Sequence, residues 1–176
     1  QADTAAYLDH LDRAVRTQSN IQLYLGVTAT PEKLAALSPQ AVILATGSQP
    51  CSDELPGWET AGAFEVSEIY EKIDQVGRRV IVVGAGASGC EAALFLAETG
   101  RKVVIVDRGS AAMPQFSRLP RIALVDKLRA NGVELRFGVE VAQLLPGGAM
   151  IETGTGKLQR LEADSVIAAN GRRGDP

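Results

Sequence analysis

The sequence predicts an α/β fold, a three-layer arrangement around a parallel β-sheet with a small β-meander attached. Three observations predict it. Runs of consecutive apolar residues without alternation, at residues 41–45, 80–83, 103–106 and 166–169, are what strands covered on both faces display. Between the second and third runs lies an Ala-rich helical stretch, which makes them a βαβ unit. A glycine-rich turn joins the second run directly to that helix.

Each element has its own ground. Tyr7, Leu8, Leu11, Ala14 and Val15 recur at helical spacing, which predicts an amphipathic helix over residues 4–15 with one buried stripe. Residues 21–25 read as a strand closed by Gly26. Thr30 is expected to cap a short helix with Pro31 in its first turn, and residues 34–37 give that helix an apolar face. Residues 41–45 are a buried strand, and 46–56 a connector rich in turn formers. A helix is expected at 67–73, after which Gly77 interrupts the pattern and marks a domain boundary. Beyond it come strand 80–83, the glycine turn, helix 90–98 stopped by Gly100, and strand 103–106. A helix over 119–128 ends at Asn131-Gly132, residues 134–136 begin a strand, 139–161 read as a meander, and 164–169 as a last buried strand.

The 176 residues are 45% hydrophobic, enough for the core of one ordinary domain, or of a small domain with part of another. With 18 Lys and Arg against 21 Asp and Glu the formal charge is -3, so there is no electrostatic ground for nucleic acid or an anionic membrane as a partner. The basic pairs Arg78-Arg79 and Arg172-Arg173 read as solvated. Cys51 and Cys90 cannot form a CxxC pair and are too few for a four-cysteine iron or zinc site, so no metal is expected. They suit a reducing cytoplasm. No apolar run approaches the roughly 20 residues that span a bilayer. The chain opens at Gln1 without an initiator Met, as expected of an excised piece.

The chemistry is carried by Gly84-Ala85-Gly86-Ala87-Ser88-Gly89 and by Asp107 at the end of the following strand. Gly84 permits the tight strand-to-helix turn, Gly86 lets a pyrophosphate approach the backbone, and Gly89 lets helix and strand lie close. The free N–H groups at the positive end of the helix then face the phosphates. Asp107 can accept hydrogen bonds from the adenosine ribose hydroxyls and would repel a 2′-phosphate, which favours NAD over NADP. Arg108 is the opposing charge, able to pair with that phosphate. A Gly-rich packing turn followed by a surface Asp is the alternative. Glu91 gains from the helix dipole, Cys90 reads as a packing residue, Cys51 has no sign of activation, and His10 flanks the stripe of the first helix. No Ser, His and Asp set or paired carboxylates stand out, so no catalytic side chain is assigned.

Two further segments complete a pattern, VILATGSQP at residues 42–50 and DSVIAANGR at 164–172. With VIVVGAGASGCEAA between them, the chain over nearly its whole length resembles the two-dinucleotide-binding-domain flavoproteins related to the pyridine nucleotide-disulfide reductases. Ala6-Tyr7-Leu8, Gly26 and Val27-Thr28 are most similar to the C-terminal half of long old yellow enzyme relatives (NADH:flavin oxidoreductases) of the dienoyl-CoA reductase and trimethylamine dehydrogenase type.

The resemblance implies a Rossmann-like nicotinamide-binding domain at 78–163, flanked by remnants of a flavin-binding domain, a partial lobe at 1–77 and a return strand at 164–176. FAD in the complete parent protein, and the flavin-binding and barrel domains of the parent chain as partners, follow from it. Thr46 and Gly47 would lie near flavin or the domain hinge, Asn170 and Gly171 near the nicotinamide dinucleotide, and Glu91 toward the nicotinamide end. Three family features are missing: a second GxGxxG, the catalytic Cys pair, and a terminal GD motif, since Gly174-Asp175-Pro176 follows the return crossing too closely. The implied chain is a fragment, inactive alone and unable to hold flavin stably, whose parent moves hydride from nicotinamide C4 to flavin N5. Two readings of other classes stay open: a module that holds ADP or a dinucleotide only structurally, and a nucleotide-dependent transferase such as a methyltransferase, against which the ATG and AxG crossings argue.

Overall fold

A computed structural model describes residues 2–174. The chain divides into two compact units, Gln1–Ala45 and Thr46–Pro176.

The first unit contains α1 (Ala2–Thr17) and α2 (Pro31–Ala36). Arg16 pairs with Asp12 one turn back on α1, and the Thr30 hydroxyl accepts the Lys33 amide as the cap of α2. The expected buried stripe of α1 is exposed at Tyr7, Leu8, Leu11 and Val15. Residues 21–25 and 41–45 are not strands, and Ile43 and Leu44 are 90% and 78% exposed. The reason lies in the ladder: an apolar run becomes a strand only where another strand takes its amides and carbonyls, and the described residues of this unit supply none.

The second unit opens with β1 (Ser48–Pro50), α3 (Trp58–Ala61) and β2 (Phe64–Glu65). Then come β3 (Arg79–Val83), α4 (Ala87–Glu98), β4 (Lys102–Asp107), α5 (Arg118–Ala130) and β5 (Glu134–Phe137). The remaining strands are β6 (Val139–Leu145), β7 (Gly148–Thr153), β8 (Leu158–Glu162), β9 (Ser165–Ala168) and β10 (Arg172–Gly174). Five of them form a parallel sheet in the order β2-β9-β3-β4-β5, with Val83 level with Val106 on one side and Ala168 on the other. β6, β7 and β8 make the expected antiparallel meander.

Both faces of the sheet are covered, which is why its central strands β3, β4 and β9 carry unbroken apolar runs. On one face Val80, Val82, Ile105 and Ile167 pack with Ala93 and Leu96 of α4 and with Leu128 of α5. On the other, Ile81, Val83, Val106 and Val166 meet Leu144, Ile151 and Leu161 of the meander. The result is three layers: helices, sheet, meander. The sheet also takes in residues from outside 78–163, since β9 lies between β2 and β3.

Residues 67–73 are a chain of turns closing in a single 3-10 turn at Ile73–Gln75 rather than a helix. Helix nucleation in so short a segment is costly, and Arg101 takes the Ile73 and Val76 carbonyls from outside at 2.7 and 3.1 Å. The basic pairs are exposed, as expected of solvated residues, and three of the four arginines also have partners. Arg79 binds Asp164 at 2.6 Å, and Arg173 binds Asp53 at 2.7 Å and Glu54 at 3.0 Å. Arg172 donates to the Ser48 hydroxyl. These contacts flank an antiparallel ribbon of β1 and β10, and the Asn170 amide donates to the Cys51 carbonyl at 2.7 Å beside it. Asp175 and Pro176, which bear on the missing GD motif, lie outside the described residues. Among the described residues no helix is long and apolar enough to cross a membrane.

Candidate functional site

The glycine turn between β3 and α4 contains two kinds of glycine. Gly84 has φ +110, and a Cβ on it would stand 2.3 Å from the Ala169 carbonyl oxygen; on Gly89 it would stand 2.0 Å from that of Gly84. Both are required by packing. A Cβ on Gly86 would meet nothing within 4 Å, so the fold does not demand a glycine there and leaves open space in front of the backbone. Gly86 is also the N-cap of the twelve-residue α4 and brings no side-chain cap. The first-turn amides at the positive end of the helix are thus left for an anion.

Asp107 closes β4 behind this turn. One carboxylate oxygen accepts the Ala85 amide at 2.6 Å and the other the Gly109 amide at 2.6 Å. The side chain therefore clamps the glycine turn to the exit loop of β4, while each oxygen keeps a lone pair for a further donor such as a ribose hydroxyl.

The sheet order brings distant segments to one cleft of about 670 Å³ at the carboxyl ends of the strands, where open α/β sheets take their ligands. Gly84, Gly86, Asp107, Arg108, Asn170 and Gly171 all line it. Ala85 is buried beneath the turn, and Ala87 and Ser88 form the first turn of α4 with Gly89 packed below. Thr46 and Gly47 precede β1, away from the cleft lining. Glu91 is exposed and off the cleft wall; it faces Tyr70, whose hydroxyl is pushed up by burial and then by the Glu91 charge. Cys90 is buried, and burial with the nearby carboxylates of Asp107 and Glu91 pushes its thiol up to about 11. His10 is exposed on α1.

Sequence analysis missed the other walls, Glu54 to Pro56 and the Val139 to Ala142 stretch with Glu152. In the sequence these are ordinary loop and meander residues: the pairing of β6 with β7 sets Glu152 opposite Glu140, and the Leu144 amide holds the Glu54 to Pro56 loop by donating to the Pro56 carbonyl at 2.7 Å. An anion-receptive helix end, an open approach at Gly86, a carboxylate at the end of β4 and a cleft of this size together fit a dinucleotide.

Comparisons with known proteins agree with this geometry. A family model described as pyridine nucleotide-disulphide oxidoreductase matches residues 7–176. The chain is 32% identical over 164 residues to an NADH oxidase of Thermoanaerobacter brockii, covering 89% of this chain and 25% of that protein. It is 36% identical to a nitric oxide reductase FlRd-NAD(+) reductase of Aeromonas hydrophila subsp. hydrophila, covering 75% of this chain and 35% of the relative. The chain thus spans about a quarter to a third of the length of these curated relatives. Among solved structures, the water-forming NADH oxidase from Lactobacillus brevis bound to NADH is 25% identical with a TM-score of 0.59, over 72% of this chain and 29% of that one. Histamine dehydrogenase from Rhizobium sp. 4-9 shares the fold with a TM-score of 0.73 at 21% identity, over 94% of this chain and 28% of its own.

Proposed function

This chain belongs to the pyridine nucleotide-disulphide oxidoreductase family, and from that premise we propose that it is the NADH-binding part of a flavin-dependent oxidoreductase. The observation that carries the proposal is Gly86, open toward the cleft at the start of α4 and next to Asp107. The first-turn amides of α4 would hold the pyrophosphate, Asp107 the adenosine ribose, and Asn170 and Gly171 the nicotinamide half.

Bound there, the dinucleotide would supply a hydride, for which FAD in the complete protein would be the acceptor. Everything the chain itself contributes is position. α4 neutralises phosphate charge, Asp107 fixes the ribose and the turn together, and the ribbon of β1 and β10 joins the segments that lead to and from the sheet. No side chain of the cleft need move a proton. NADH is preferred to NADPH, because a 2′-phosphate would stand against the Asp107 carboxylate, with Arg108 the opposing charge. Two free cysteines suit a cytoplasmic setting.

Calorimetric titration with NADH and NADPH tests this. Binding of NADH in preference to NADPH, unchanged or widened in Arg108→Ala, supports the proposal. A preference for NADPH that Arg108→Ala removes would make Arg108 the selector, and absence of binding would remove the dinucleotide from this cleft. In the complete parent, NADH should bleach the flavin; failure to do so would favour a purely structural nucleotide.

A further inference from the structure

The cleft has a second source of charge besides Asp107. β6 and β7 pair antiparallel with Glu140 directly opposite Glu152, and both residues line the same cleft. Like charges directly opposed across two strands weaken the pairing. The arginines of the neighbouring strands do not relieve them, since Arg136 on β5 pairs with Glu134 and Arg160 on β8 with Glu162. The charged residues of the lining are Asp107, Glu140, Glu152 and Arg108, together with Glu54, which Arg173 already pairs.

Chain geometry sets the pair at one end of the cleft. Asp107 is level with Phe137 across β4 and β5, and the Gly138 amide donates to the Gly109 carbonyl at 2.8 Å. The start of β6 is thus fastened to the loop that follows Asp107. Glu140 follows that attachment by two residues, and both glutamates are exposed and share the cleft lining with Asp107.

We propose that Glu140 and Glu152 act with Asp107 as a specificity device, a three-carboxylate field that admits an adenosine ribose with a free 2′-hydroxyl and rejects one carrying a 2′-phosphate. The inference rests on the reading that the cleft holds the adenosine half of a dinucleotide at Asp107. It explains why an uncompensated carboxylate pair is kept on this wall: a repulsive feature that costs some pairing energy can be retained where it excludes a competing ligand. It also opposes Arg108, whose guanidinium would otherwise attract the phosphate. Charges within about 10 Å of the phosphate act on it at low ionic strength without touching it.

The test compares two ligands that differ only in this group, ADP-ribose and its 2′-phosphate, titrated into the full chain and into Glu140→Gln, Glu152→Gln and the double variant. Each single variant should narrow the affinity ratio by about two- to fivefold at low salt, and the double variant by more. The narrowing should shrink at about 0.5 M salt, and the melting temperature should rise as the cross-strand repulsion is removed. A ratio unchanged in folded variants overturns the inference, whether or not the melt moves, and leaves the dinucleotide reading standing. Wild-type chain that binds neither ligand takes that reading down and this inference with it.

Discussion

The carboxylate of Asp107 receives the Ala85 amide at 2.6 Å, so the acid at the end of β4 holds the glycine turn that follows β3. The Gly109 amide occupies its other oxygen. Asp107 is therefore a structural clamp in addition to the ribose-binding role proposed for it, and its replacement should not act on cofactor choice alone. In Asp107→Asn one of the two amides faces an NH2 group, and a hydrogen bond to a charged group is worth about 1.5–3 kcal/mol. The variant should melt lower, lose roughly tenfold or more in NADH affinity, and discriminate less against NADPH. Calorimetry beside a thermal melt checks this; a variant with wild-type melting that changes selectivity only would show that the two amide bonds contribute nothing.

Glycines of the same turn should respond in opposite ways. Gly86→Val places its side chain in open space, so the fold should persist while dinucleotide binding is lost. Gly89→Ala drives a methyl against the Gly84 carbonyl, and overpacking of this kind costs about 1–3 kcal/mol or more. Melting curves should separate them, with Gly89→Ala well below wild type and Gly86→Val close to it. NADH binding that survives in folded Gly86→Val would put the pyrophosphate elsewhere.

Two carboxyls should give stability a pH dependence of opposite sign. Hydrogen bonds and charge from Arg79 hold Asp164 below the usual carboxylate range. Its contribution is present above the unfolded value, about 3.9, and is lost as pH falls through the folded one. Glu65 is the reverse: burial and the neighbouring Glu68 push it up, and its Oε1 is buried without a hydrogen-bond partner. Its ionised form is disfavoured in the fold, so its penalty is felt above the folded value and disappears as pH falls below the unfolded one. Melting followed from pH 3 to 7 should therefore give Asp164→Asn a shallower acid loss, and Glu65→Gln a gain at pH 7 that vanishes in acid. A pH profile unchanged in both variants would mean that neither carboxyl is linked to folding.

The two thiols should differ in reactivity. Cys90 is buried, with its thiol pushed up to about 11, so almost none of it is thiolate at neutral pH. Cys51 is only half-buried. Iodoacetamide applied to the native chain near pH 8 should label Cys51, and Cys90 only after denaturation; peptide mass analysis reads the result. Labelling of Cys90 at the rate of Cys51 would mean that the α4 packing opens readily.

What the sequence discloses depends on range. The glycine turn, Asp107 and the strands around them are legible because each is specified by its own few residues. Residues 41–45 look no different from residues 103–106, yet only the second run is a strand, since strand identity depends on neighbours that composition does not name. The same limit applies to the site. Gly84, Gly86, Asp107 and Arg108 can be picked out by motif, and Asn170 and Gly171 by their likeness to a family pattern. The facing of Glu140 and Glu152 is a matter of register between two strands, and no local pattern announces it. Residues 67–73 show the helical spacing but are too short to repay helix nucleation, and they form turns.

The position of β9 has a consequence for the order of events during synthesis. Residues 165–168 leave the ribosome last among the five strands of the parallel sheet, yet they sit between β2 and β3. Until they arrive, β3 is an open edge of Val and Ile with unpaired amides, the kind of surface on which chains associate. The local βαβ segment can form early, but closing the sheet must wait for a contact between parts of the chain about 85 residues apart, and long-range pairing of this kind is slow. A chain released after residue 163 would carry every element of the glycine turn and still lack the strand that covers the β3 edge.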